Sequence, residues 1–269
     1  MTYSYEKEKQ FREIIEKMIV CSEEIDDLGR LYEEIFGLRN TEEILSIAEK
    51  ISIFIQEIKE LYDYSLLEFD SETLTYAVDG YYKENLINIT KVIESISADD
   101  FEKLCALFLK EIVKCDAVNA TQRSHDQGID FVGYKRYVKC LTTDEQNNNL
   151  LYVVGQAKHY KNEVVDAGEV RELAGSIYLM RTNNFAKKRE NVSDKVIYNN
   201  LNFDAFTPIV PYFITSNYFS SCAYTLCRNA AIIAIDRLSL VLNLVFSNRF
   251  NGMSQEEIIE EIRKVERIS

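Results

Sequence analysis

The chain has 269 residues and a formal charge of −13, with 46% hydrophobic and 28% charged residues; that length supports one large or two modest domains, each with its own core. No uncharged apolar run approaches the roughly 20 residues of a membrane helix, and Glu and Lys recur through residues 6–17, where a signal peptide would be apolar. Six cysteines without a Cys-x-x-Cys pair, and only two histidines, argue against a zinc site or a secreted disulfide framework, so the expected setting is cytoplasmic, away from membranes, with mostly buried free thiols.

The acidity is uneven. Residues 1–97 carry 10 basic and 22 acidic side chains, a net of −12, whereas the remaining 172 residues carry 21 and 22, a net of −1. An acidic surface does not lie along a phosphate backbone without local basic patches. Such patches occur only later, at Lys135-Arg136 with Lys139, at Lys158 to Lys161, and at Lys187-Lys188-Arg189. Short charge clusters of this kind are as often plain solvated surface.

In chain order, residues 4–37 show helical spacing, with Phe11, Ile14, Ile15, Met18 and Ile19 forming one apolar stripe. Thr41-Glu42-Glu43 starts a second helix running to about Tyr64. Residues 71–96 are expected to hold one or two more helices, broken near Asp79-Gly80. The first 96 residues therefore read as an acidic, all-α module. Ser97 is a helix N-cap with acids in the first turn, and its helix is expected to reach about Lys114 and to bury Phe101, Leu104, Leu107, Phe108 and Ile112. Strands follow near 116–122, 129–137 and 150–158, with Thr142 to Asn149 as a hairpin tip. A helix over about 166–180, an irregular insertion over 181–207, a strand at 208–215, a helix at 219–229 and a strand at 231–235 complete an αβββαβαβ order. Ser254-Gln-Glu-Glu257 is a capping box opening the last helix.

Within this order, Glu102, Asp130, Gln156 and Lys158 form a constellation with chemistry. Magnesium takes hard oxygen ligands near 2.1 Å, usually one or two carboxylates completed by water and substrate phosphate. Asp130 offers the carboxylate, and Gln156 and the Ala157 carbonyl offer neutral oxygens. Lys158 lies two residues beyond Gln156, on the same side of a strand, where a lysine can orient an attacking water. Glu102 sits on the flank of its helix stripe, where by spacing alone an ordinary first-turn acid is the stronger reading. His125 and Asp126 precede the Asp130 strand and read as substrate-positioning or outer groups. Arg171 lies on the following helix, where a surface salt bridge with a neighbouring Glu is an equal reading. No Gly-x-Ser-x-Gly marks a serine hydrolase.

Phe101-Glu102-x-Leu104, Asp126-x-Gly128-Ile129-Asp130, Gln156-Ala157-Lys158, Pro211-Tyr-Phe-Ile-Thr215, Ala223 and Ile235-Asp236-Arg-Leu238, taken in order, resemble the nuclease core of the Mrr-type (type IV) restriction endonucleases of the PD-(D/E)xK superfamily. The resemblance covers roughly residues 97–245. The commonest third element of that superfamily is Glu-x-Lys; Gln156-x-Lys158 is a variant with one negative charge fewer. The resemblance implies an α/β, restriction-endonuclease-like core with a mixed sheet flanked by helices over 97–269, preceded by the all-α module of 1–96. It further implies Mg²⁺- or Mn²⁺-dependent hydrolysis of double-stranded DNA in defence against foreign DNA. Metal binding would fall to Asp130, Gln156 and the Ala157 carbonyl, with Lys158 and Glu102 as catalytic partners and Asp126, His125 and Arg171 in support. The expected partners are DNA and either a second copy of the chain, as a dimer or higher oligomer, or a defence-system protein held through the N-terminal module. Two alternatives stay open: a catalytically weak binding or assembly subunit, and a nuclease for RNA or branched DNA.

Overall fold

The computed structural model describes residues 5–20, 26–37, 39–121, 128–136, 150–181 and 208–267. His125, Asp126, Lys139, the hairpin tip at 142–149 and nearly all of the insertion, with Lys187 to Arg189, lie outside them. The chain forms two compact units. One comprises Met1–Val92 with Val241–Gln255, the other Ile93–Leu240 with Glu256–Ser269.

The first unit opens with helices α1 (Tyr5–Val20), α2 (Leu28–Phe36) and α3 (Thr41–Tyr62). Phe11, Ile14, Ile15, Met18 and Ile19 are buried as the apolar spacing of α1 predicts. The two following helices begin at polar caps: the Asp27 carboxylate accepts from the Arg30 N–H (3.0 Å), and the Asn40 side chain accepts from the Glu43 N–H (3.4 Å). Gly37, at φ +65°, closes α2 in the left-handed conformation that glycine adopts without steric cost.

The expected all-α character of this unit is corrected by an antiparallel hairpin of β1 (Leu67–Asp70) and β2 (Thr75–Val78), registered from Leu67↔Val78 to Asp70↔Thr75. Leu67 and Tyr76 are buried, an alternation with period two that helical spacing does not produce. The turn is local chemistry: the Asp70 carboxylate accepts from the N–H groups of Glu72 (2.8 Å) and Thr73 (3.3 Å). The Glu72 N–H is the main reason the Asp70 carboxyl lies below its usual range. Helix α4 (Gly80–Ser95) therefore stands alone in a region expected to hold up to two helices.

The boundary of this unit also departs from a simple cut at residue 96, because Val241–Gln255 belongs to it. Phe246 stacks on Tyr62 at 4.3 Å between ring centres and lies 5.9 Å from both Tyr64 and Tyr82. The Tyr62 hydroxyl donates to Asn243 (3.0 Å). Several N-terminal tyrosines thus serve as packing rings around one phenylalanine.

The second unit follows the αβββαβαβ order. Its elements are α5 (Ala98–Glu111), β3 (Ala117–Ala120), β4 (Phe131–Arg136), β5 (Leu150–Lys158), α6 (Ala167–Arg181), β6 (Ile209–Thr215), α7 (Ser221–Asn229) and β7 (Ile233–Ile235). Helix α8 (Arg237–Phe246) begins in this unit, and α9 (Gln255–Arg263) opens where the expected capping box stands. The sheet order is β3-β4-β5-β6-β7, antiparallel across the first three strands and parallel across the last three. This is the expected mixed α/β fold.

Ser97 caps α5 by accepting from the Asp100 N–H (3.1 Å), and the helix packs on β3, β4 and β5 through buried Phe101, Leu104 and Phe108. Burying each such side chain contributes on the order of 1.5–3 kcal/mol. The helix stops at Glu111, short of the expected Lys114, which itself lies at φ +60°. Gly155 sets the closest approach in the sheet: a Cβ there would lie 2.2 Å from the Phe131 ring and 2.7 Å from the Tyr212 carbonyl. Only glycine admits that contact.

Candidate active site

The candidate residues meet where β4 starts and β5 ends. Gly128, at φ +81°, makes the turn ahead of β4, and a Cβ there would press on Ser176 Oγ at 3.2 Å. The next two residues are tied down through the backbone. Thr121 Oγ1 donates to the Ile129 carbonyl (2.6 Å), the Thr121 N–H donates to the Asp130 carbonyl (2.9 Å), and the Asp130 N–H donates to the Gly155 carbonyl (2.8 Å). Asp130 is thereby fixed between β3 and β5. One step beyond the Phe131↔Gly155 pair, it lies across from Gln156.

Asp130 Oδ2 accepts from the Ala157 N–H at 2.7 Å. Gln156 is 5% exposed, and its Oε1 is buried without a hydrogen-bond donor among the described residues. An amide oxygen left so costs about 1–3 kcal/mol, which is a reason to ask what it serves. A buried acceptor beside a fixed carboxylate is the donor set a small hard cation takes. Among the described residues no three His, Cys, Asp or Glu side chains converge on a metal position, so one carboxylate and neutral oxygens are the donors available here.

Lys158 extends from the same side of β5 as Gln156. Its Nζ lies 3.2 Å from Glu169 Oε1 on α6, with the two side chains 27% and 16% exposed. Glu169 is itself held: the Tyr160 hydroxyl donates to Oε1, and the Asp166 N–H donates to Oε2 at 3.0 Å. Asp166 in turn caps α6 by accepting from the Gly168 N–H (2.6 Å) and the Glu169 N–H (3.0 Å). Burial, and then the hydrogen bond to the Glu169 carboxylate, raise the Tyr160 phenol above its ordinary range. The backbone of Lys158 is pinned as well, its carbonyl accepting from Thr215 Oγ1 and the Ser216 N–H, both at 3.0 Å.

Glu102 is not left to solvent. Its Oε2 accepts from Arg267 Nη2 at 2.6 Å. Beneath it, on the next turn of α5, Cys105 is fully buried, and its thiol is pushed well above the ordinary range by burial first and then by the charges of Asp130 and Glu102. His159 turns away from Lys158, pairing through Nε2 with the Ile93 carbonyl (2.8 Å) and packing its ring 5.1 Å from Phe101. Arg171 is exposed and forms no salt bridge with a neighbouring Glu among the described residues. Of the described basic groups, Lys135 spends its ammonium on the Val113 carbonyl (3.1 Å), while Arg136 and Lys161 are exposed.

The structure thus brings Asp130, Gln156, Ala157 and Lys158 together, sets Glu102 to one side with an arginine, and leaves Arg171 on the surface. Sequence reading gave no role to Glu169, Tyr160 or Arg267. For Tyr160 a signal existed, since it follows Lys158 by two residues and so faces the same way. Glu169 and Arg267 had none, because their partners are distant in sequence.

Residues 93–186 match the family profile described as restriction endonuclease (Mrr_cat). No curated protein is matched by the sequence. Among solved structures, the chain is similar to the MspJI restriction endonuclease in complex with a 27-mer oligonucleotide, at 14% identity and a TM-score of 0.42, over 69% of this chain and 36% of that one. It is also similar to the DNA modification-dependent restriction endonuclease AspBHI, at 14% identity and 0.44, over 67% and 40%. Restriction endonuclease FokI bound to DNA aligns at 10% identity and 0.37, over 100% and 50%. The chain spans half or less of the length of each of these proteins.

Proposed function

We propose that this chain, whose residues 93–186 belong to the restriction endonuclease family, is a metal-dependent endodeoxyribonuclease that hydrolyses double-stranded DNA, with defence against foreign DNA in the cytoplasm as its setting. One observation carries the reading: a fixed carboxylate, Asp130, stands across from a buried amide oxygen, Gln156 Oε1, that has no donor among the described residues, with Lys158 on the same side of the strand.

Asp130, Gln156 and the Ala157 carbonyl would hold Mg²⁺ or Mn²⁺. When bound, such an ion supplies Lewis acidity that neutralises charge on the scissile phosphate and favours ionisation of water. The chain's own residues do the rest. The Ala157 N–H holds Asp130 Oδ2 in place, which fixes the carboxylate that would ligate the ion. Lys158 Nζ donates to the attacking water and offsets the charge that builds on its oxygen. Glu169, steadied by Tyr160 and the Asp166 N–H, keeps that ammonium from swinging into solvent. The acidic N-terminal unit serves dimerisation, partner binding or restraint of the nuclease, because its charge opposes a phosphate backbone.

The test is cleavage of methylated and unmethylated supercoiled plasmid with Mg²⁺ or Mn²⁺, against EDTA. Cleavage by wild type that EDTA stops and Asp130→Ala abolishes, with an unchanged circular dichroism spectrum, supports the assignment. Unaltered cleavage by folded Asp130→Ala sinks it. DNA retention without cleavage under every metal condition favours a binding subunit on the same fold.

A further inference from the structure

We propose that Arg267 is the resident cation of the Glu102 carboxylate, so that the candidate centre takes one divalent ion, at Asp130 and Gln156, and not a pair. The inference rests on the nuclease reading above and specifies its metal content.

Arg267 is placed by backbone and side chain together. The segment after α9 runs beside β3: the Ala120 N–H donates to the Glu266 carbonyl (3.2 Å), and Arg267 forms a parallel bridge with Ala120. From there Nη2 reaches Glu102 Oε2 (2.6 Å), Asp99 Oδ1 (2.6 Å) and the Asp99 carbonyl (3.3 Å), while Nη1 donates to the Thr121 carbonyl. Asp99 and Glu102 are three residues apart on α5 and so share one face. The planar fork of a guanidinium can serve both acids and a carbonyl at once. With the Arg267 and Glu102 side chains only 21% and 14% exposed, solvent screens the pair little.

Thr121 links this cluster to the metal position, since the residue whose carbonyl faces Arg267 also donates its N–H to Asp130. A second divalent ion, held at Glu102, would have to displace the Arg267 guanidinium from that carboxylate.

The experiment counts Mn²⁺ bound per intact chain, by calorimetry and by the free-Mn²⁺ paramagnetic signal. Wild type is expected to bind one ion, and Asp130→Asn to lose it. Arg267→Gln is expected to gain a second, weaker ion that the Arg267→Gln/Glu102→Gln double variant lacks, whereas Arg267→Lys retains one. Glu102→Gln alone, which leaves Arg267 in place, should keep one ion with affinity within about fivefold of wild type, the scale of an already compensated charge. Two ions in wild type, of which Asp130→Asn removes one, overturn the inference and leave the nuclease reading standing. So does a folded Arg267→Gln that still binds one. Loss of the ion in Glu102→Gln overturns it even if Arg267→Gln fails to fold. A wild type that binds no Mn²⁺ removes the metal reading and this inference with it.

Discussion

Lys158 shows how much one side chain depends on others. A hydrogen-bond donor that acts on developing charge contributes in the transition state more than in the ground state. Lys158→Ala is therefore expected to lower turnover by about 10²–10³-fold while leaving DNA affinity in gel-shift titrations nearly unchanged. An affinity loss equal to the activity loss would make Lys158 a simple phosphate contact. Glu169→Gln keeps the shape and removes the charge, so its turnover should fall less than that of Lys158→Ala; Glu169→Asp, one methylene short, should fall with it. The cysteines give a check of the structure that needs no substrate. Cys222 is exposed while Cys105, Cys115 and Cys227 are buried, so peptide mapping after alkylation of the native protein should find Cys222 modified and those three protected. The sequence singled out Lys158 through its spacing from Gln156. It was silent on Glu169, which meets Lys158 only because α6 folds back over the end of β5.

At the scale of elements, the α/β core was legible because each piece carries its own period and punctuation. Ser97 and Ser220 cap their helices, and strands lie where apolar runs are short and β-branched. The β1–β2 hairpin escaped notice because its alternation spans only four residues a side, too few to stand out between long helical stretches. Gly155 shows a demand that no local pattern displays. Adding a methyl group would put it 2.2 Å from the Phe131 ring in a sheet with no room to give. Gly155→Ala should cost about 1–3 kcal/mol or more, read as a lower midpoint in urea unfolding. Gly175, where an added Cβ meets nothing within 4 Å, is the control, and Gly175→Ala should be neutral or stabilising in its helix.

For the molecule as a whole, the discontinuous first unit changes how it can be cut. A fragment beginning at Ser97 keeps Val241–Gln255 but loses the residues that unit supplies around it. Leu244, Val245 and Phe250 are fully buried, and Phe246 would lose Tyr62, Tyr64 and Tyr82. That fragment is expected to self-associate in light scattering, where the full chain gives one defined species; a monodisperse, cooperatively folded fragment would contradict this. The pH dependence of stability also belongs to this scale. Burial lifts the Cys115 thiol from 9.0 to about 11 and the Cys227 thiol to about 12, and burial with Glu43 lifts the Tyr32 phenol from 10.0 to about 12. Each group holds its proton more tightly folded than unfolded, so its contribution is complete below about pH 9 and fades as pH rises through 9–12. Denaturation midpoints should be level on the neutral side and fall across that alkaline range.

By itself, the sequence determined the order of elements in the second unit, the asymmetry of charge, and Asp130, Gln156 and Lys158 as one candidate group. Those features are written in short-range spacing, in caps and in a strand's period of two, all of which act within a few residues. Only the tertiary structure decided which charges meet. Arg267 reaches Glu102 across 165 residues of chain, Glu169 meets Lys158 from a different element, and residues 241–255 join the N-terminal unit. Such pairings are set by how the sheet and helices pack, because close packing and the need to compensate buried charge act between surfaces that the chain brings together only once it has folded.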